Sequence, residues 1–199
     1  NDANGIDLIQ KYAHIYGLDE KTGLEISEYK SDIATMYPVM AAIGQSDNDI
    51  TTVALSRYVT AVASGKKYNY QLMDRIVDAS GKTVKKYKAD YEDISDTLTD
   101  SQWDALHSGM RQVVSTMDRF QGFDIPVAGK TGTAQQTGHA NHGLFIGYAP
   151  YDDPEITIAV RIANGYSSHN AATAARNVIS YYYKETSMKD IKEMKAARV

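Results

Sequence analysis

The sequence predicts an α+β fold, an antiparallel sheet with flanking helices, and three observations carry that reading. Amphipathic helical segments occupy the first part of the chain. Two segments of strand character follow late, separated by five turn residues, too few for a crossover helix. An alanine-rich helical segment then closes the order of helices, β meander and helix.

The elements follow in chain order. Ile6, Ile9, Tyr12, Ala13 and Tyr16 fall at helical spacing, and Gly17 supplies a stop. The polar run GLDEKTGLEISEYKSD reads as a loop containing one short strand. From Thr51 or Thr52 to Ser64, Leu55, Tyr58, Val59 and Val62 line one helical face that Gly65 ends. Residues 70–87 read as a hairpin turning at Asp78-Ala79-Ser80-Gly81. Thr99 and Gln102 stand three apart as a capping box, and Trp103, Leu106, Met110, Val113, Val114 and Met117 continue as a helix. Residues 143–149 and 155–163 are the two strands, the second with Ile156, Ile158, Val160 and Ile162 on one face. The closing helix runs from about Asn170 to Glu185.

A chain of 199 residues is long enough for one well-buried core or two small ones, and no composition shift or repeat marks a second domain. The net charge of -4 gives no reason to expect a nucleic-acid partner. With no cysteine, disulfide frameworks and thiolate zinc sites are excluded. No apolar run reaches the roughly 20 residues that span a bilayer. The opening NDANGIDLIQ has neither an initiator Met nor a signal-peptide pattern, so the chain reads as a piece of a longer protein.

One motif carries chemistry, VAGKTGTAQQTG at 127–138. A phosphate loop would place a glycine five positions before Gly129, where Asp124 stands, and would open a helix afterwards, where GTAQQTG is a poor first turn. The alternative is an edge strand at 127–135 that offers its backbone to an extended peptide. Gly132 then lets the peptide lie close, and Lys130 supplies positive charge. The hydroxyls of Thr131 and Thr133 can bind a terminal carboxylate, and an aimed N–H can stabilise an oxyanion. Lys-Thr-Gly alone is weak evidence, since Lys21-Thr22-Gly23 is a second copy.

The longer match is more specific. YGLDEKTGLEI (16–26), AAIGQSDNDITTVALSRYVTAVASG (41–65), VAGKTGTAQ (127–135) and NHGLFIGYAPYDDPEITIAV (141–160) together resemble the C-terminal half of the penicillin-binding protein transpeptidase domain, nearest its class B subgroup. The resemblance implies a partial serine β-lactamase/D,D-transpeptidase-like fold, with residues 1–199 forming the C-terminal portion of one domain whose N-terminal part is absent. It implies that Lys130, Thr131, Gly132 and Thr133 bind substrate, and that Lys130 and Thr133 are also catalytic, Thr133 through a backbone N–H in the oxyanion hole. Its implied ligands are D-Ala-D-Ala stem peptides of peptidoglycan and β-lactam antibiotics. The cell-wall synthesis machinery is a further implied partner, and no cofactor or metal is needed. The implied location is the extracytoplasmic face of the membrane, under an N-terminal anchor helix that this chain lacks. A serine β-lactamase, a β-lactam sensor and a non-catalytic interaction module remain alternatives.

Two expected motifs have no convincing match. Ser27-Glu28-Tyr29-Lys30 and Ser64-Gly65-Lys66-Lys67 fit Ser-x-x-Lys, but one lies in a loop and the other straddles a helix-ending glycine. Ser46-Asp47-Asn48 fits Ser-x-Asn but directly follows Gly44-Gln45, out of the family's order. The nucleophile is therefore expected outside this chain and the fragment alone is expected to be inactive. In the family two strands from before the nucleophile join this sheet, so an exposed edge on the 155–163 strand is expected to self-associate. His139 and His142 lack a carboxylate partner at metal-site spacing and read as surface residues. Tyr181, Tyr182 and Tyr183 read as part of a half-buried helix, and the lysines at 82, 85, 86 and 88 as a solvated hairpin face.

Overall fold

The computed structural model describes residues 2–193, which form two compact units divided after Asp96. In the first unit α1 spans Asp2–Ile15, α2 Pro38–Ala42 and α3 Thr52–Ser64. The side chain of Thr51 caps α3 by accepting from the Ala54 N–H, and Gly65 closes it in the left-handed conformation at φ 66°. Two antiparallel pairs follow: β1 (Lys66–Asn69) with β4 (Asp90–Asp93), and between them in sequence β2 (Arg75–Val77) with β3 (Thr83–Lys86). The predicted hairpin is thus present, turning at the predicted residues, where Asp78 accepts from the Ser80 and Lys82 amides.

The pair β1–β4 escapes a search for apolar alternation because cross-strand side-chain contacts hold it instead. Lys67 meets Glu92 at 2.8 Å in register, Tyr68 and Tyr91 rings lie 5.3 Å apart, and the Lys66 ammonium sits 4.7 Å from the Tyr91 ring. Helix α2 spans little more than one turn, too short to show a period.

Around Arg57 the chain solves a burial problem. Its guanidinium is 1% exposed and donates to the carbonyls of Gly17 and Lys21, with the Glu20 carboxylate at 3.2 Å. A side chain at Gly17 (φ 73°) would meet that guanidinium at 2.6 Å, so the stop after α1 is also a packing requirement.

The expected strand within 17–32 does not form; among the described residues the segment has one isolated bridge, between Asp32 and Asp49, and the Thr22 carbonyl accepts the Tyr70 amide at 2.8 Å. Glu28 explains this. Its carboxylate accepts the Thr22, Gly23 and Leu24 amides and the Thr22 hydroxyl, at 2.7–3.1 Å, so those donors need no strand partner.

The second unit contains α4 (Asp100–Ser115), β5 (Ala128–Ala134), β6 (His142–Ala149), β7 (Ile156–Ile162), α5 (Ser168–Tyr182) and a short α6 (Met188–Glu193). The capping box is present, with the Thr99 N–H donating to the Gln102 side chain at 2.9 Å. The three strands form one antiparallel sheet in the order β5-β6-β7. Ala171, Ala172, Ala175 and Ile179 of α5 are fully buried on it, over Phe145, Ala149 and Val127, with the four predicted apolar residues of β7 against the same cluster. Small residues on the helix let it approach the sheet closely. Tyr183 follows α5 and donates to the Ala149 carbonyl at 3.3 Å. Burial, then the Glu155 carboxylate at 3.2 Å, pushes its hydroxyl up to about 12. Among the described residues no helix is long and apolar enough to cross a membrane.

Glu28 generates a pH prediction. Burial pushes its carboxyl up, but the Thr22 hydroxyl and the Thr22, Leu24 and Gly23 amides outweigh burial and hold it below its ordinary value of 4.5. A lowered folded value contributes stability that is present above the unfolded value and is lost as pH falls through the folded one. Hydrogen exchange at Thr22, Gly23 and Leu24 is expected to accelerate as pH drops below that range, once the intrinsic pH dependence is subtracted. Glu28→Gln should remove the transition and leave these amides poorly protected at neutral pH.

Candidate active site

Gly129-Lys130-Thr131 lies wholly inside β5, with no helix starting after it, so the phosphate-loop arrangement is absent. Among the described strands β5 has one neighbour, β6, and forms an edge. Which of its backbone groups point outward follows from parity. In an antiparallel strand the N–H and C=O of one residue point to one side, and those of the next residue to the other.

Five hydrogen bonds fix the parity. Ala149 accepts from the Glu155 amide and Asn141 from the Tyr166 amide, so odd residues along β6 face β7 and even ones face β5. The register Lys130↔Ile146 and Gly132↔Leu144 then ties the even residues of β5 to β6, as does the Tyr151 amide on the Pro126 carbonyl. Odd residues of the β5 segment therefore turn outward. Two outward carbonyls are indeed met from that side, Val127 by the Arg111 guanidinium at 3.1 Å and Thr131 by its neighbour Lys130 Nζ at 2.8 Å. By the same rule the N–H and C=O of Thr133 face the open edge.

Side chains alternate between faces on the same period. A Cβ at Gly129 would meet the Phe145 ring at 2.5 Å and the Ile146 carbonyl at 2.6 Å, so this glycine is required by the core beneath it. A Cβ at Gly132 would lie 3.4 Å from Leu144 Cβ, a contact the fold accommodates. Lys130 and Thr133 are exposed, and Thr131 and Gly132 half-buried. The four residues singled out by sequence thus form one accessible stretch that combines an ammonium, two hydroxyls and outward amides. Such a stretch can bind an extended peptide and a carboxylate.

The rival motifs are engaged elsewhere. Ser27 and Lys30 are exposed in a segment without regular structure. Ser64 is the last residue of α3 and donates to the Thr60 carbonyl at 2.7 Å, while Lys67 sits on Glu92 and Glu20. Neither pair has a serine at a helix start beside an available lysine. Ser46-Asp47-Asn48 staples a loop: Ser46 reaches the Met36 carbonyl, Asp47 accepts from Thr35, and Asn48 accepts from the Ala34 amide. The Thr35 and Ser46 hydroxyls hold the Asp47 carboxyl well below the usual range. The other Lys-Thr-Gly copy is the loop gathered by Glu28, with Thr22 buried.

His142 corrects an expectation. It is 7% exposed rather than a surface residue, because it lies on β6 opposite Ala134 and its Nδ1 accepts the Asn164 amide at 2.9 Å. His139 is exposed, and no group of three metal-ligating side chains occurs among the described residues. The burial of His142 left no sequence signal beyond its place at the start of an apolar strand.

Comparison with known proteins gives consistent matches. The family model for the penicillin binding protein transpeptidase domain matches residues 1–180. Peptidoglycan D,D-transpeptidase MrdA of Haemophilus influenzae is 27% identical over 91% of the chain, and penicillin-binding protein 2B of Streptococcus pneumoniae 28% identical over 85%. The chain spans only 33% and 28% of the length of these two curated relatives. Among solved structures, penicillin-binding protein A of Mycobacterium tuberculosis, as an imipenem acyl-enzyme, superposes with a TM-score of 0.78 at 21% identity. That match covers 89% of this chain and 42% of the other. Pseudomonas aeruginosa PBP2 gives 0.74 at 26% identity, covering 89% and 44%.

The two strand glycines should behave differently. Gly129→Ala is expected to destabilise the second unit by about 1–3 kcal/mol, the usual range for overpacking a core, whereas Gly132→Ala should stay within about 0.5 kcal/mol of the starting protein. Urea denaturation followed by tryptophan fluorescence of Trp103 in α4 reads both.

Proposed function

The chain belongs to the penicillin-binding protein transpeptidase family, and on that premise we propose that it is part of a class B-like serine D,D-transpeptidase that cross-links peptidoglycan stem peptides and is acylated by β-lactams. The observation that carries the proposal is the edge of β5, where Thr131 and Thr133 turn their backbone outward beside the Lys130 ammonium. A stem peptide adds to this edge as an extra strand, and the absent side chain of Gly132 leaves room for it. The Thr131 and Thr133 hydroxyls hold its terminal carboxylate, and Lys130 supplies the matching charge.

The reaction is acyl transfer. A serine oxygen attacks the carbonyl carbon of the D-alanyl-D-alanine bond, and the Thr133 N–H is one of two donors to the oxyanion that forms. The carbon–nitrogen bond then breaks, D-alanine leaves with a proton on its nitrogen, and an ester remains on the serine. The amine of a neighbouring stem attacks that ester, forms the cross-link and returns the serine. A β-lactam enters by the same first step and leaves the ester.

The serine and its lysine stand outside these 199 residues, as does the Ser-x-Asn motif. In support, Ser27 lies in a loop, Ser64 ends a helix, and Ser46 and Asn48 are spent on loop hydrogen bonds. Residues 1–199 then form the C-terminal portion of one transpeptidase domain, carried at the extracytoplasmic face of the membrane by an anchored parent protein that works with the cell-wall synthesis machinery.

Fluorescent penicillin tests this reading. The 199-residue chain is expected to take no covalent label, and the parent protein to be labelled on its serine. In the parent, Thr133→Pro removes the outward N–H without touching the β6 ladder, and should slow acylation by about 10²–10³-fold. Acylation of that variant at the unaltered rate would remove Thr133 from the oxyanion hole.

A further inference from the structure

The start of β6 is held by bonds from the turn between β7 and α5. Asn141 accepts the Tyr166 amide at 3.0 Å, and His142 Nδ1 accepts the Asn164 amide at 2.9 Å. Asn164 and Tyr166 sit at positive φ, 53° and 62°, a conformation that costs a residue with a side chain about 1–2 kcal/mol. The two bonds hold the turn in that conformation. The turn also presses on the strand, since a Cβ at Gly143 would run into the Ser167 carbonyl oxygen.

The bond to His142 tolerates one state of the ring. A backbone N–H can only donate, so Nδ1 carries a lone pair and the proton of the neutral ring is on Nε2. That Nε2 is buried and has no hydrogen-bond partner among the described residues. A second proton would set Nδ1–H against the Asn164 N–H and leave both ring donors unmatched. No carboxylate offsets the charge, because β5, β6, β7, α5, the 135–141 loop and the 163–167 turn contain no Asp or Glu. The charged and titratable groups they carry toward this end are Lys130, Arg161, His139, Tyr166 and His169. Asp152, Asp153 and Glu155 lie at the far end of the sheet, between β6 and β7. Helix α4, which carries Asp100 and Asp104, also meets the sheet there, through His107 beside Tyr148 and Arg111 on the Val127 carbonyl.

His142 reaches Thr133 through the ladder. Even residues of β6 bond to β5, so the backbone of Leu144 pairs with Gly132 and that of His142 with Ala134. Thr133 stands between these two pairs, and the His142 pair is the last of β5. While that pair holds, the outward N–H of Thr133 has a fixed direction. Once it frays, Thr133 belongs to a loose strand end.

We propose that His142 is a positioning residue for Thr133: its neutral ring ties the last β5–β6 pair to the 163–167 turn, and protonation releases that tie. The link to acylation rests on the function proposed above, whereas the tie itself is a property of the fold. Only the neutral ring accepts the Asn164 amide, so the ordered strand end is present at higher pH and is lost as pH falls.

Two substitutions separate the bond from the packing. His142→Asn puts an amide oxygen where Nδ1 stands and does not titrate, whereas His142→Leu keeps comparable bulk without an acceptor. Acylation of the parent protein by a penicillin is followed from about pH 8 to about pH 5, the span in which an imidazole titrates. The starting protein should lose rate on acidification more steeply than His142→Asn, which should keep most of the rate at the upper end. His142→Leu should be acylated about tenfold to a hundredfold more slowly at every pH, with noncovalent drug affinity little changed. The 199-residue chain gives a reading that needs no serine. Amide exchange at Asn164 and Ala134, corrected for its intrinsic pH dependence, should quicken on acidification in the starting chain and not in His142→Asn. Acid limbs of acylation that coincide in the starting protein and His142→Asn would overturn the proposal, as would exchange at these amides that ignores pH. The expected exchange with Thr133→Pro acylated at the unaltered rate would instead fault the role of Thr133 and leave the tie standing.

Discussion

The two-residue period of the antiparallel sheet is the constraint on which the second unit depends. One alternation decides three things at once in β5. It sends the amides of Lys130 and Gly132 to β6, the amides of Thr131 and Thr133 to the open edge, and the α-carbon of Gly129 against Phe145. Shifting the register by one residue would turn Thr133 into the ladder and leave Lys130 and Gly132 presenting backbone at the edge. The core under the strand forbids that slip, because Phe145 is fully buried and Gly129 is the residue beside it without a side chain. Packing on one face therefore sets the chemistry available on the edge.

Much of this was legible in the sequence. Alternation in ITIAVRI marked β7, the Thr99–Gln102 spacing marked the start of α4, and Gly65 marked the end of α3. These signals are local, so they survive without knowledge of what packs where. The elements that escaped depend on partners distant in sequence. β1 and β4 are polar strands made stable by Lys67 on Glu92 and by two tyrosines, and neither strand shows a period of its own. The 17–32 segment has donors enough for a strand, but Glu28 collects them.

The candidate site shows the same division. Residue types at 130–133 pointed to carboxylate and peptide binding, but the two Lys-Thr-Gly copies cannot be told apart from the triplet itself. What separates them is that one lies along a sheet edge, while the other folds around a carboxylate with Thr22 buried. Ser46-Asp47-Asn48 likewise has the composition of a catalytic motif and the hydrogen bonds of a loop staple. His142 was read as surface together with His139, three residues away, because the pair lacks a carboxylate partner at metal-site spacing and the sequence carries no record of the Asn164 amide that His142 receives.

On the function proposed above, the outward backbone of Thr131 and Thr133 is one wall of an acyl-transfer site completed by a serine from elsewhere in the parent protein. A crystal structure of that parent acylated by a β-lactam tests it most directly. The expected structure has the acyl carbonyl oxygen within hydrogen-bond distance of the Thr133 N–H, the drug's carboxylate on the Thr131 and Thr133 hydroxyls, and the ester on a serine outside these 199 residues. An ester on Ser27 or Ser64, or a drug bound away from a bare β5 edge, would contradict it.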